Sequence, residues 1–346
     1  MVYNPCLDKR EERLWRQKLR VRWWKEGFRN SSFFNVVASG RQRRNHLNSI
    51  SFKRVKVSDP IQVRNGVVNY FKNHFSNVRW KSPIIRGLTL KQASEIERKA
   101  LEELFSEEEV WDDVCDCDGI KAPGPDSLNV NFIKANWEVI QEDCMMFIHE
   151  FYRNGNIVKD LNKIFVALIP KCSNPESMTD FRPISLVSSL YNILAKMLAN
   201  RLKVVMNYVI GDYQMAFVKD RKILDSFVIA NEIIHSWRND RVGGILVKLD
   251  FEKAYDSVNH SFLDSILENM GFGFKWRQWL RCCISTPSLA VLVNGSSTEE
   301  FCLERGLRQG DPLSLFLFNI VVECLSCCFK KALVLNLFKG AYLGPE

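Results

Sequence analysis

Residues 244–256 read Gly244-Ile-Leu-Val-Lys-Leu-Asp250-Phe-Glu-Lys-Ala-Tyr255-Asp256. A short apolar run closed by a carboxylate predicts a buried strand over 244–250, with Asp250 held at the rim of a sheet. A carboxylate in that position can fix a hard cation through oxygen. Many strands also end in Asp for turn reasons. The stretch alone therefore leaves a metal role and a turn role open.

Working outward, helical and strand-like periods alternate on both sides. Upstream, Trp137, Ile140, Cys144, Phe147, Ile148 and Phe151 mark an amphipathic helix, and Lys163 to Pro170 a short buried strand. Leu190, Ile193, Leu194, Met197, Leu198, Leu202 and Val205 define a long helix. Lys121-Ala-Pro-Gly-Pro-Asp-Ser127 is a breaker cluster that excludes helix and inner strand. The acidic segment from Glu95 to Asp118 reads as a solvated helix. Downstream, Ser261 to Met270 predicts a helix stopped by Gly271. Ser288 to Val293 and Thr298 to Leu303 flank Asn294-Gly295, a hairpin turn dipeptide. The class is α+β.

The 346 residues are 46% hydrophobic and 25% charged, a composition that can bury a sizeable core. Met1 to Lys25 is heavily charged and has no apolar run of the kind that marks a secretory leader. Leu313 to Phe329 is apolar but carries Glu323, and reads as a buried helix rather than a membrane span. Eleven cysteines without secretory context predict free thiols in a reducing, intracellular compartment. Cys324-x-x-Cys327 has the spacing of half a zinc site but no second pair nearby, so core thiols are the expectation.

Charge is uneven. Residues 1–56 hold 15 Lys/Arg against 4 Asp/Glu, net +11, while the whole chain is +8, so the remainder is −3. Trp15, Trp23, Trp24, Phe28, Phe33 and Phe34 interleave with Arg16, Arg20 and Arg22, followed by Arg41, Arg43 and Arg44. Such a face suits phosphates, by charge and counterion release. A solvated basic helix is the alternative.

Further polar clusters add chemistry. Arg305-Gly-Leu-Arg-Gln309-Gly310-Asp-Pro-Leu-Ser314 places glycines and polar groups ahead of the apolar helix, suiting close backbone approach to a ligand. Ile169-Pro-Lys171 and Phe181-Arg182-Pro-Ile184 set two cations beside strand-like segments, where they could clamp a polyphosphate.

Taken in order, Lys-Ala-Pro-Gly-Pro-Asp, Leu-Ile-Pro-Lys, Phe-Arg-Pro-Ile-Ser-Leu, Gln214-Met-Ala-Phe217, Leu-Asp-Phe-Glu-Lys-Ala-Tyr-Asp-Ser-Val and Gly-Leu-Arg-Gln-Gly-Asp-Pro-Leu-Ser resemble the successive blocks of LINE-type, non-LTR reverse transcriptases, with the nearest likeness to plant elements. Trp15-Arg-Gln-Lys with Trp23-Trp24-Lys-Glu-Gly27 resembles the linker ahead of the polymerase there. The resemblance implies a right-hand polymerase fold. Residues 1–110 would be a basic, largely helical linker following an endonuclease. Residues 121–346 would be the polymerase domain, with fingers at 121–240 and a partial palm at 241–346. It also implies RNA-directed DNA synthesis with Mg²⁺ or Mn²⁺, an RNA template, a DNA primer and dNTPs, without a membrane, and a nuclear location in a working element.

By the same resemblance, Asp250 matches the first metal-binding, catalytic aspartate, with the backbone carbonyl of Phe251 as a second ligand. Lys171 and Arg182 match the pair that neutralises the incoming triphosphate. Tyr255 matches the aromatic under the sugar, and Gln309 and Gly310 the turn beside nucleotide and template. Asp256 is read as capping a local turn. The family's next block, an aromatic-Ala-Asp-Asp hairpin bearing the remaining metal-binding carboxylates, has no counterpart: beyond Asp311 only Glu323 and Glu346 are acidic. Ser127 stands where Gly is usual, Leu315 where Pro is usual and Phe28 where Asp is usual. These departures point to a truncated or decayed copy, inactive alone. A nucleic-acid-binding remnant and a domesticated splicing-type relative are the alternatives.

Overall fold

The computed structural model describes residues 45–52, 54–77, 87–119, 121–239 and 243–340, with isolated positions at 40, 85 and 241. The six N-terminal arginines singled out above lie outside the described residues.

A five-stranded sheet carries the architecture. Strands β3 (Lys163–Pro170) and β4 (Phe181–Val187) form an antiparallel hairpin, and β5 (Ser288–Val293) runs parallel to β3 on its other side. Beyond Asn294 (φ 51) and Gly295 (φ 85) the chain returns as two short strands, β6 (Ser296–Ser297) and β7 (Phe301–Cys302), both paired to β5. The expected hairpin is therefore present, with its returning strand interrupted at residues 298–300.

Ile164, Val166 and Leu168 alternate inward along β3. They share a core with Leu289, Val291 and Val293 of β5. Val63, Val67 and Phe71 of helix α1 (Pro60–His74) and Ile50 of β1 (Ile50–Phe52) complete it. Strand β1 pairs with β2 (Val55–Val57). Residues 45–77, assigned from sequence to the linker, are thus continuous with the sheet's own core.

A second core is helical. It is built around α6 (Ser189–Val209), whose N-terminus is capped by Ser188, and against it lie α2 (Glu95–Leu101), α3 (Glu107–Asp116), α4 (Val130–Ala135) and α5 (Trp137–Asn154). Helices α8 (His260–Asn269), α9 (Phe274–Ser285) and α10 (Pro312–Val334) close it. Helix α10 is long and apolar enough to cross a membrane by length and composition. It packs instead on α6 and α8, with Glu323 only 2% exposed. The described cysteines are free, and burial pushes the Cys324 and Cys327 thiols up to about 11, as expected for core thiols.

Two expectations need correction. The acidic stretch 95–118 is two helices, capped separately by Ser94 and Ser106, not one solvated helix. Leu101, Phe105, Val110 and Val114 are buried on its inward face, because spaced apolar residues outweigh a high mean charge when a partner helix is available. The second correction is larger: residues 243–251 form no strand. Ile245 is 86% exposed and Val247 68%. A run apolar on both faces is the signature of an inner strand, and such a strand needs neighbours for its backbone N–H and C=O groups. No described strand pairs with it. Helix α7 (Ile223–Asn239), just upstream, likewise buries no residue.

Helix α3 also holds a titrating group. Asp113 is 5% exposed and takes a hydrogen bond from Asn200 on α6. Desolvation pushes its carboxyl from 3.8 to about 6, with nearby Glu109 adding to the rise. The folded state therefore holds this proton more tightly than the unfolded chain. Its contribution to stability is complete below about pH 4 and is lost as pH rises through 6, worth on the order of 1–3 kcal/mol. Thermal melts from pH 4 to 8 should show Asp113→Asn more stable than the native chain at pH 8 and lacking this fall. Equal melting of the two proteins at pH 8 would remove the assignment.

Candidate functional site

The breaker loop shapes the ground under the site. Asp126 accepts a hydrogen bond from the Ser189 amide at 2.6 Å, and a side chain at Gly124 would run into the Val187 carbonyl. Ser127, where the family it resembles has glycine, adopts φ 56, a left-handed conformation costing a non-glycine residue about 1 kcal/mol.

Lys171 and Arg182 lie together at the tip of the β3–β4 hairpin, where Ile169 pairs with Arg182 and Pro170 with Phe181. The Lys171 amide donates to the Asp180 carbonyl and its Nζ to the Thr179 carbonyl, each at 2.7 Å. Amides of Ser177 and Glu176 donate to the Asp180 carboxylate and hold it below the usual range, fixing the turn. The Arg182 side chain is exposed.

Three residues further along β4, the Ser185 amide donates to the Gln309 carbonyl at 3.1 Å. Gly310 has φ 102, and the Ser185 bond holds the Gln309–Gly310 turn against the strand whose tip carries Arg182. A small cavity lined by Ser185, Pro183, Asp256, Leu307, Arg308 and Gln309 opens beside it.

Beneath the turn is a buried ionic network that sequence reasoning missed. Arg308 is 6% exposed. Its Nη2 donates to Asn162 Oδ1 and to the Cys283 carbonyl, and its guanidinium stacks 3.8 Å from the centre of the Tyr191 ring. The Tyr191 hydroxyl donates to Asp311 Oδ2 at 2.7 Å, and burial raises the Tyr191 phenol well above its ordinary value. Asp311 also caps α10 through the Leu313 amide. The sequence block displays these residues, but nothing in it marks Arg308 as buried.

Tyr255 is half-buried, and desolvation raises its phenol. Its ring packs 5.1 Å from that of Phe318, and its carbonyl accepts from the Leu307 amide at 2.8 Å. Phe251 meets the same Phe318 edge-on at 6.3 Å. Tyr255, Phe251 and the Gln309 segment are thereby linked. Asp250 follows the exposed run, and no hydrogen bond or ion pair engages its carboxylate among the described residues. Asp256 corrects its reading as a turn cap: its carboxylate pairs with His74 Nε2 at 3.1 Å, across to α1.

The donor set for a divalent ion is incomplete among the described residues. Among the described residues no three His, Cys, Asp or Glu side chains cluster so as to hold a metal. One carboxylate with the Phe251 carbonyl does not satisfy Mg²⁺, which demands near-octahedral oxygen coordination.

A family model described as reverse transcriptase (RNA-dependent DNA polymerase) matches residues 169–343. The chain belongs to the reverse transcriptase family. The match takes in the hairpin-tip cations, Asp250, Tyr255 and the Gln309 turn. Relatives place it among non-LTR retrotransposon reverse transcriptases. An uncharacterized 149 kDa protein of transposon TX1 from Xenopus laevis is 27% identical over 308 residues, 88% of this chain and 24% of that protein. The Pol polyprotein of the R2 element of Popillia japonica is 30% identical over 210 residues, 60% of this chain and 29% of that protein. A probable RNA-directed DNA polymerase from transposon BS of Drosophila melanogaster is 24% identical over 214 residues, 60% of this chain and 23% of that protein. The chain thus spans about a quarter of the length of these relatives. Reverse transcriptases as a family use divalent metal ions, a nucleic-acid template and nucleotide substrates.

Proposed function

We propose that this chain supplies the fingers (121–240) and part of the palm (241–346) of a non-LTR RNA-directed DNA polymerase, preceded by residues 1–110, whose basic N-terminal stretch would act as a linker while residues 54–77 pack into the sheet's core. The observation that carries the reading is the attachment of the Gln309–Gly310 turn to β4, the strand whose tip bears Arg182 beside Lys171. Lys171 and Arg182 would bind the triphosphate of the incoming dNTP. Tyr255 would lie under its sugar, and the Gln309–Gly310 backbone beside the base pair formed with the RNA template. Arg16, Arg20, Arg22, Arg41, Arg43 and Arg44 would track the phosphates of template or DNA primer by charge. Asp250 and the Phe251 carbonyl would present one face of a site for Mg²⁺ or Mn²⁺. Since that donor set is incomplete among the described residues, the chain's own side chains bind and orient but do not complete a polymerase.

Triphosphate binding tests this directly. A fluorescent dNTP titrated into the chain should bind in a salt-sensitive manner. Lys171→Ala and Arg182→Ala should each weaken it roughly tenfold or more, as charge-assisted hydrogen bonds are worth about 1.5–3 kcal/mol. Unchanged affinity in both variants would dismiss the reading.

A further inference from the structure

Helix α1 ends at His74, far ahead of the family match that begins at residue 169, yet its last turn touches two blocks of the candidate site. On one side the His74 Nε2–H donates to Asp256 Oδ2 at 3.1 Å. The pair is well enclosed, with side chains 13% and 14% exposed. The Tyr70 ring lies parallel to the imidazole, 5.9 Å away, and its hydroxyl accepts from Lys253 Nζ at 3.1 Å. On the other side the His74 carbonyl accepts from both Nε and Nη2 of Arg305, at 2.9 and 2.7 Å. The Phe75 carbonyl accepts from the Glu304 amide, and the Asn77 amide donates to the Glu304 carboxylate.

The two blocks themselves meet through two backbone bonds and through the buried His260 imidazole, whose Nε2 donates to the Gly306 carbonyl at 2.8 Å. Gly306 N–H donates to the Val258 carbonyl at 2.7 Å, and Leu307 N–H to the Tyr255 carbonyl at 2.8 Å. A bridge joins Asn259 to Arg305. Gly306 has φ 96, and a Cβ there would press at 3.0 Å on the Asp256 carbonyl and 3.1 Å on the Phe75 ring. The packing leaves no slack between α1 and the crossing point.

We infer that His74 is a positioning residue that sets Tyr255 against the Gln309 segment, its imidazole holding Asp256 and its carbonyl holding Arg305. The importance of that spacing rests on the reading of Tyr255 and Gln309 as flanking the nucleotide. The clamp itself is a separate matter. A side chain on α1 fixes a distance between two segments about 50 residues apart in the chain, without touching substrate.

Amide hydrogen exchange on the full chain tests the clamp, because the Gly306 and Leu307 amides make the two backbone bonds of the crossing. His74→Ala should accelerate exchange at both by at least tenfold, while Ile164 and Val166 in β3 and Leu194 in α6 exchange as before. His74→Gln, which keeps a donor of similar reach, should restore most of the protection, and Asp256→Ala should reproduce the loss. Unchanged exchange at Gly306 and Leu307 in His74→Ala would overturn the inference. So would a uniform acceleration that includes β3 and α6, or a failure of His74→Gln to rescue. Fluorescent dNTP binding to the same proteins separates the two readings. Clamp behaviour as expected with no binding by the native chain would retain the positioning role and discard the nucleotide site. Native binding with unaltered exchange in His74→Ala would do the reverse.

Discussion

Arg308→Ala should destabilise the fold by about 3–5 kcal/mol, the cost of removing one member of a buried, hydrogen-bonded charge network. The substitution strips donors from Asn162 and the Cys283 carbonyl and leaves the Tyr191 ring without its cation. It also leaves Asp311 buried, 7% exposed, with its opposite charge gone. In the native chain Arg308 Nη1 is 3.9 Å from Asp311 Oδ2, an ion pair beyond hydrogen-bond reach, so the loss falls mainly on desolvated polar groups rather than on one short contact. A melting point lower by on the order of 10 °C is the expected reading.

Arg308→Met with Asp311→Asn should recover part of that loss. It removes both charges together, keeps the side-chain volume, and retains an N-cap residue for α10. Gln309→Ala should be nearly neutral in the same melts, because Gln309 is held through its backbone carbonyl. A melting point for Arg308→Ala within 2 °C of the native value would show that the network contributes little.

The contrast between these neighbours explains how far the sequence could be read. Periodicity located β3, α5, α6, α8 and the Asn294-Gly295 turn because each has local or single-face determinants: an alternating face, a Ser188 cap, a glycine in the left-handed region. It also marked 244–250 as an inner strand, but pairing is a property of neighbours, and no described strand flanks that run. Block order identified the family and assigned Gln309 and Gly310. It passed over Arg308, the residue just before them, because a sequence does not display burial; only the enclosing Tyr191, Asn162 and Cys283, from three distant segments, turn that arginine inward. His74 and Asp256 were illegible together for a similar reason. They are 182 residues apart and their pairing depends on how α1 packs against β5.

Primer extension tests whether these 346 residues suffice for synthesis, and the expected effect is all or none. On an RNA template with Mg²⁺ or Mn²⁺, the 346-residue chain should add no nucleotides. Polymerisation requires two cations held together against their mutual repulsion, beside several negative charges on the nucleotide. Asp250 brings one carboxylate, and no cluster of further carboxylates accompanies it among the described residues. Appending the family-type aromatic-Ala-Asp-Asp hairpin and the strands beyond it would add carboxylates and give residues 244–250 a pairing partner. In that longer protein synthesis should appear, and the amides of Ile245 to Leu249, which lie in no strand in the shorter one, should become protected from exchange. Asp250→Asn should then abolish synthesis by several orders of magnitude while leaving that protection in place, since the substitution removes a charge and not the strand. Robust synthesis by the 346-residue chain, lost with Asp250→Asn, would mean that the chain completes its metal site from groups other than those named. Activity in the longer protein that survives Asp250→Asn would remove Asp250 from the metal site altogether.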